Sequence, residues 1–132
     1  MSGSFDLNDD KSEKIILGLP LALRLSSRIG DTITVTSAYN IERTITTLSI
    51  PKTRSFVVSG IFESNNKDYD GSSVFTSLSS SQKLFGLRNQ ITGYEIRLND
   101  FHNAEKIKNE LEKEIDTKLF SINTWYDLHK EL

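Results

Sequence analysis

The 132-residue sequence contains no cysteine and only two histidines, and these shortages exclude several kinds of site. Without cysteine the chain has no disulfide, no thiol nucleophile and no cysteine-bound zinc. Neither His102 nor His129 has a histidine or carboxylate four residues away that would complete a metal-binding pair on a helix. We therefore expect both histidines to be structural or exposed, and we predict no metal site.

An excess of charge of one sign and a long hydrophobic run are also missing. The chain has 16 basic and 18 acidic residues, and its net charge of −2 gives no basic surface for nucleic acid. The longest apolar stretch, residues 15–23, contains Gly18 and Pro20. It falls short of the roughly 20 residues that a membrane-spanning helix needs. We therefore predict neither a nucleic-acid-binding protein nor a membrane span within these residues.

Motifs of catalysis and phosphate binding are likewise missing. The glycines are scattered and form no phosphate-binding loop. No serine lies in a Gly-x-Ser-x-Gly motif, and Ser59 falls inside a predicted strand. Glu63, Asp68 and Asp70 do not follow the spacing of a calcium loop, so we interpret them as part of an acidic turn. The sequence therefore predicts a protein that is not an enzyme and has no cofactor.

The hydrophobic periodicity predicts an α+β fold with a mixed or antiparallel sheet and short helices. The predicted strands are residues 15–17, 32–36, 55–62, 72–78, 92–98 and 119–122. The predicted helices are residues 19–25, a segment capped by Ser79 or Ser80 that ends at Gly86, a long helix after Asn99 or Asp100, and a last helix capped by Thr124. Residues 63–71 are expected to form a polar loop.

The apolar run from 55 to 62 is expected to be the central strand, covered on both faces, with a bulge or close approach at Gly60. We expect its large side chains to be buried with apolar residues of the later strand and helix close by. The set comprises Phe56, Val58, Ile61, Phe62, Ile96, Ile107 and Leu111.

Residues 38–50 form the most unusual segment of the sequence. They are rich in β-branched residues, contain no glycine and are followed by Pro51. Their apolar content exceeds what a loop of this length needs, and an exposed apolar strand is typical of a partner site. We interpret the segment as a projecting β-arm that binds a partner, with an ordinary strand pair packed on the core as the alternative.

The order of short motifs along the chain resembles one protein family. The motifs are Ile15-Ile16-Leu17-Gly18, Gly30-Asp31-x-Ile33, Phe56-Val57-Val58-x-Gly60-Ile61-Phe62-Glu63-Ser64, Gln82-Lys83-Leu84-Phe85-Gly86, Thr92-Gly93-Tyr94-Glu95-Ile96 and Trp125-x-Asp127-Leu128. Together they resemble the extracytoplasmic domain of the LolC/LolE lipoprotein-releasing ABC permeases, which is related to the MacB-like periplasmic core domain. The resemblance covers roughly residues 14–130.

The resemblance implies that residues 1–132 are a single periplasmic domain, the later part of a MacB-like periplasmic core domain, with residues 1–13 as a polar leading segment. The parent permease would be anchored in the bacterial inner membrane, with a separate ATP-binding subunit and a second permease subunit. Its substrate would be a lipoprotein, passed to a LolA-like periplasmic carrier. The carrier-binding hook of the family would correspond to residues 38–51, with candidate contacts at Ile41, Arg43, Ile45, Leu48, Ile50 and Pro51.

A second interpretation stays open at this stage. The chain could be the periplasmic domain of a MacB-like efflux permease or an FtsX-like regulatory permease, which would bind an adaptor or a cell-wall hydrolase. One position also departs from the family pattern, because Asn65 follows Glu63-Ser64 where the family commonly has glycine. Asparagine can adopt the left-handed turn that glycine allows.

Overall fold

The computed structural model describes residues 2–9, 11–37 and 51–129, which fall into two compact units, residues 1–92 and 93–132. The predicted β-arm at residues 38–50 lies outside the described residues. In the described part of the chain, no helix combines the length and the apolar character needed to cross a membrane.

The first unit is built on a five-stranded mixed sheet. Its strands are β1 (Ser2–Gly3), β2 (Lys14–Gly18), β3 (Thr32–Thr36), β4 (Thr53–Phe62) and β5 (Val74–Thr76). The order is β1-β4-β2-β5, and β3 also pairs with β4. The β2 and β4 strands are parallel, whereas the other pairs are antiparallel. The predicted α+β class and the central place of the 55–62 strand are therefore confirmed.

Among the described residues of the first unit, the helices are α1 (Leu19–Arg24), α2 (Lys67–Ser72) and α3 (Leu78–Phe85). The prediction of a loop over residues 63–71 is wrong, because the Asn66 side chain caps α2 by accepting from the Tyr69 N–H. The predicted cap of α3 is also displaced, since Ser77 rather than Ser79 or Ser80 accepts from the helix. Gly86 ends α3 with a left-handed φ of 69°, as predicted.

The core lies between the sheet and the helices α1 and α3. It consists of Ile15, Leu17, Ala22, Phe56, Val58 and Leu84. Burial of these side chains from water is the main force that holds β2, β4 and the two helices together. Phe62, also buried, belongs to a separate aromatic group and packs edge-on against Phe75 with ring centroids 5.0 Å apart.

A bulge in β4 explains why Phe56 and Phe62 enter different clusters. In the pairing with β2, Ile15 lies opposite Val58 and Ile16 lies opposite Gly60, so Ser59 is an extra residue. Side chains along a strand alternate between the two faces of the sheet. The extra residue therefore shifts this alternation by one, so that odd-numbered rather than even-numbered residues of β4 face the core beyond the bulge. Ile61, which is half-buried rather than buried, then packs on the core, and Phe62 turns to the aromatic group. The bulge predicted near Gly60 is thus confirmed.

The second unit contains a 3-10 helix (Phe101–Asn103), α4 (Ala104–Glu114) and α5 (Trp125–His129). The predicted strands at 92–98 and 119–122 are wrong, because no strand forms within residues 93–129. Alternating residues gain stability as a strand only when a neighbouring strand takes their backbone hydrogen bonds. Ile96 is accordingly 64% exposed and is not a core residue, whereas Ile107 and Leu111 are half-buried.

A polar cluster joins α4 to α5 within this unit. Lys108 Nζ donates to Asp127 Oδ2 at 2.7 Å, and this bond raises the pKa of Lys108. Thr124 caps α5, as predicted: its Oγ1 accepts from the Asp127 N–H at 3.4 Å, while Asp127 Oδ2 accepts from the Thr124 N–H at 3.0 Å. Thr124 Oγ1 also lies 3.1 Å from Glu105 Oε1. The buried threonine therefore fixes where the last helix begins.

Candidate partner-binding site

A two-stranded ladder fixes both ends of the segment predicted to bind a partner. The β3 and β4 strands pair from Thr32 opposite Val57 to Thr36 opposite Thr53. Beyond that pair, the Ser37 N–H donates to the Lys52 carbonyl at 2.8 Å. The described residues that flank positions 38–50 therefore lie together at one end of this ladder.

Of the six candidate contact residues, one falls within the described part of the chain. Pro51 is exposed and precedes the first residues of the ladder. The other five lie outside the described residues, namely Ile41, Arg43, Ile45, Leu48 and Ile50. Pro51 has no backbone N–H, which suits a position where a strand begins.

An ion pair supports the ladder where it extends past β2. Because β2 starts at Lys14 opposite Val57, the first residues of β4 have β3 as their strand partner and β2 does not reach them. There Arg54 donates to Glu13 through two atoms, Nε to Oε2 at 2.6 Å and Nη2 to Oε1 at 2.5 Å. This two-point geometry fixes the orientation of both side chains.

The charges around Glu13 favour its ionised form. Hydrogen bonds from Arg54 are the main reason that the pKa of Glu13 lies below its ordinary value, and burial opposes the shift. Lys83 Nζ, at 3.7 Å from Glu13 Oε1, adds a second positive charge. The same pair raises the pKa of Arg54. The Glu13 carboxylate, which lies between the cationic groups of Arg54 and Lys83, therefore stabilises this end of the ladder.

Asp9 forms a second polar junction, between the N-terminal segment and α3. Its carboxylate accepts from the hydroxyls of Ser77 and Ser80 and from the backbone N–H of Lys14. Burial opposes ionisation of Asp9, but these hydrogen bonds outweigh it and lower the pKa. Residues 1–13, predicted as a polar leading segment, thus contain two carboxylates that hold the unit together.

We expect Glu13 to make the stability of the protein depend on pH. Because folding lowers its pKa, its contribution is complete above the ordinary glutamate pKa of about 4.3 and is lost as the pH falls through the lower folded value. The free energy of unfolding of Glu13→Gln, measured with urea between about pH 6 and pH 3, should therefore decline less than that of the wild type. Glu63→Gln, at an exposed glutamate, is the matched control and should follow the wild type. Parallel curves for Glu13→Gln and the wild type would contradict the prediction.

His102, Ser59 and His129, the other residues that the sequence singles out, lie in three separate elements. His102 is exposed and its Nδ1 lies 3.0 Å from Asp100 Oδ1, while Ser59 Oγ donates to the Ile15 carbonyl at 3.4 Å. His129 is the last described residue of α5. Within residues 2–9, 11–37 and 51–129, no group of three potential metal ligands comes together.

Sequence reasoning missed the residues that support the ladder. Glu13 and Arg54 are far apart in sequence, and no local motif links them. The sequence does contain one indication of this ion pair. Arg54 is two residues before Phe56, so the alternation of side chains along the strand places both on the face of β4 that is turned toward the core. A charge on the inward side of a strand needs a partner of opposite sign.

Comparison with known proteins identifies relatives of the chain. The chain is similar to LolC. Over 109 residues, 83% of the chain, it is 28% identical to the lipoprotein-releasing system transmembrane protein LolC of Xylella fastidiosa strain Temecula1, and equally so to that of strain 9a5c. The chain spans about a quarter of these relatives, 26% of their length. No family model matches the chain.

Proposed function

We propose that this chain is part of the periplasmic domain of a lipoprotein-releasing ABC permease anchored in the bacterial inner membrane. The likeness to LolC, a transmembrane protein of the lipoprotein-releasing system by name, supports this role. Both units, residues 1–132, would belong to one periplasmic domain that carries out no reaction itself. It would transmit motion driven by a separate ATP-binding subunit, acting with a second permease subunit on a lipoprotein substrate.

Within this role, the segment between β3 and β4 is the binding site for a LolA-like periplasmic carrier. The observation that supports this proposal is the antiparallel ladder that ends at Ser37 and Lys52, because it brings both ends of the segment to one point. A segment fixed at both ends loses less conformational entropy when it binds than a free chain does. Its apolar residues, such as Ile45 and Leu48, then supply the surface that an apolar groove or a sheet edge of the carrier would cover.

The experiment is to replace the two central apolar residues by aspartate and to titrate each variant against the cognate carrier. Ile45→Asp and Leu48→Asp should each weaken binding by about 2 kcal/mol, or roughly thirtyfold in Kd, if the residue is a central anchor. Isothermal titration calorimetry gives Kd directly. A charged side chain cannot enter an apolar site without a large cost, whereas the core of the first unit is untouched.

Thr47→Asp provides the matched control, because it adds the same charge between the two anchors without removing an apolar side chain. Its affinity should stay close to that of the wild type, and thermal unfolding should be similar for all variants. Unchanged affinity in both anchor variants, or a loss that accompanies global unfolding, would contradict the carrier-binding role. Binding of an adaptor or a cell-wall hydrolase in place of the carrier would support the efflux or regulatory permease instead.

A further inference from the structure

Four aromatic rings of the second unit lie in contact with one another in a row. The Trp125 and Tyr126 rings stack with their centroids 3.7 Å apart, and the Phe101 ring meets Trp125 edge-on at 6.4 Å. The His102 ring stacks on Phe101 at 4.0 Å. The row therefore joins the 3-10 helix to the first residues of α5.

Much of this row is open to solvent. Phe101, Trp125 and Tyr126 are each between 45% and 55% exposed. Leu128, three residues after Trp125 on the same side of α5, is also exposed. We call Phe101, Trp125, Tyr126 and Leu128 the aromatic face. Clustered apolar side chains in contact with water favour a partner that covers them.

The acidic residue of α5 does not add an unpaired charge to the aromatic face. Asp127 lies between Tyr126 and Leu128 in the sequence, but its side chain is largely buried. Its Oδ2 accepts from Lys108 Nζ at 2.7 Å and from the Thr124 N–H at 3.0 Å. Because a cation neutralises this carboxylate, the exposed surface of α5 is mainly aromatic and aliphatic.

The rim of the aromatic face is acidic. Asp100, which precedes Phe101, is exposed, and its carboxylate accepts from the His102 N–H and from Asn103 Nδ2, each at 3.0 Å. Acidic residues also outnumber basic residues over positions 93–132. A negative rim repels anionic surfaces and attracts ammonium groups, which also bind to the faces of aromatic rings.

The ring chemistry of the aromatic face matches a bilayer surface. Tryptophan and tyrosine carry one polar group on a large apolar ring, so they are enriched where hydrocarbon meets the lipid headgroups. Zwitterionic phospholipids present ammonium groups in the same headgroup layer. One surface of this composition would therefore satisfy both the half-exposed rings and the acidic rim.

We propose that the aromatic face rests on the surface of a zwitterionic phospholipid bilayer, with its rings at the level of the headgroups and Asp100 toward their ammonium groups. The proposal rests on the membrane anchoring proposed above, which would keep a bilayer within reach of the second unit. The contact lies in the plane of the interface and is reversible, as for other surfaces that bind membranes without spanning them. It involves none of residues 38–51.

The chain contains a single tryptophan, so its fluorescence reports directly on the aromatic face. The test holds the full chain, through a C-terminal histidine tag, on phosphatidylcholine vesicles that contain nickel-chelating lipid. The tag gives a high local concentration, so a weak contact becomes measurable. Phosphatidylcholine brominated near the headgroup should quench the Trp125 emission by roughly half relative to unbrominated lipid, and lipid brominated at the chain ends should quench it less.

Matched variants separate ring contact from the effect of the tag. The double variant Phe101→Ala/Tyr126→Ala keeps Trp125 and should show about half the quenching of the wild type or less, because two of the rings that hold the face on the lipid are gone. Tyr94→Ala removes an exposed ring outside the row and should leave the quenching unchanged. Replacement of phosphatidylcholine by phosphatidylglycerol should weaken the quenching, because that headgroup is anionic.

Three results with vesicles would overturn the proposal: no quenching in the wild-type chain, equal quenching in the double variant, or stronger quenching by the anionic lipid. A blue shift of the Trp125 emission that grows with protein concentration without vesicles would also overturn it, because a second copy of the chain would then cover the face. The wild-type result does not depend on the folding of any variant. The carrier titration uses other residues and another ligand, so failure of either proposal is recognised separately.

Discussion

Replacement of Phe62 by alanine should lower the free energy of unfolding by about 3–5 kcal/mol, the range for removing a buried aromatic side chain. Phe62 is 8% exposed and contacts Phe75 and, with ring centroids 6.1 Å apart, Tyr69. These partners come from β5 and α2, so the alanine would leave a cavity between three elements of the first unit. Urea unfolding at neutral pH, followed by circular dichroism, measures the change.

Two companion variants make this measurement specific. Phe120→Ala removes the same ring from a residue that is 59% exposed, and it should change the stability by no more than about 0.5 kcal/mol. Phe62→Leu keeps most of the volume and should cost less than the alanine does. A loss below about 1 kcal/mol for Phe62→Ala would show that the aromatic group does not hold β5 and α2 to the sheet.

The sequence predicted those elements whose stability is visible in the local pattern. The central strand was found because a long apolar run with an internal glycine is typical of a buried strand with a bulge, and Gly60 and Ser59 occupy those roles. Gly86 is a strong signal for the end of helix α3, whereas the serines at 77, 79 and 80 are equally good candidates for its start, and Ser77 is the one that caps it. Such signals act between residues close in sequence.

Elements that depend on distant residues were not predictable in the same way. Helix α2 contains Gly71 and several polar residues, so its sequence resembles a loop, but the Asn66 cap and tertiary contacts stabilise it. Conversely, residues 92–98 alternate between apolar and polar side chains like a strand, but no strand forms within residues 93–129 to take up their backbone hydrogen bonds. The sheet also determines two other contacts, the hydrogen bond between Ser37 and Lys52 and the ion pair between Arg54 and Glu13. No local sequence motif indicates either of them.

The turn before α2 shows how one buried charge can fix such an element. Asp70 is 1% exposed, and its two carboxylate oxygens accept from the Ser64 N–H at 2.9 Å and from the Ser64 hydroxyl at 2.6 Å. Between them Asn65 takes a φ of +65°, which confirms that asparagine makes the left-handed turn here. Gly18 packs against the backbone of Asp70 so closely that a Cβ would overlap its carbonyl group. Asp70 therefore connects the turn, α2 and β2.

We expect Asp70→Ala to lower the free energy of unfolding by roughly 3 kcal/mol, because each hydrogen bond to a charged group contributes about 1.5–3 kcal/mol. The change also leaves the Ser64 N–H without its acceptor. Asp70→Asn keeps one acceptor oxygen of similar position and should show a smaller loss. Asp68→Ala, at an exposed position of the same helix, is the matched control for the loss of a first-turn carboxylate and should cost less than about 1 kcal/mol. Equal losses for Asp68→Ala and Asp70→Ala in urea unfolding would mean that helix-end electrostatics, rather than the bonds to Ser64, explain the effect of Asp70.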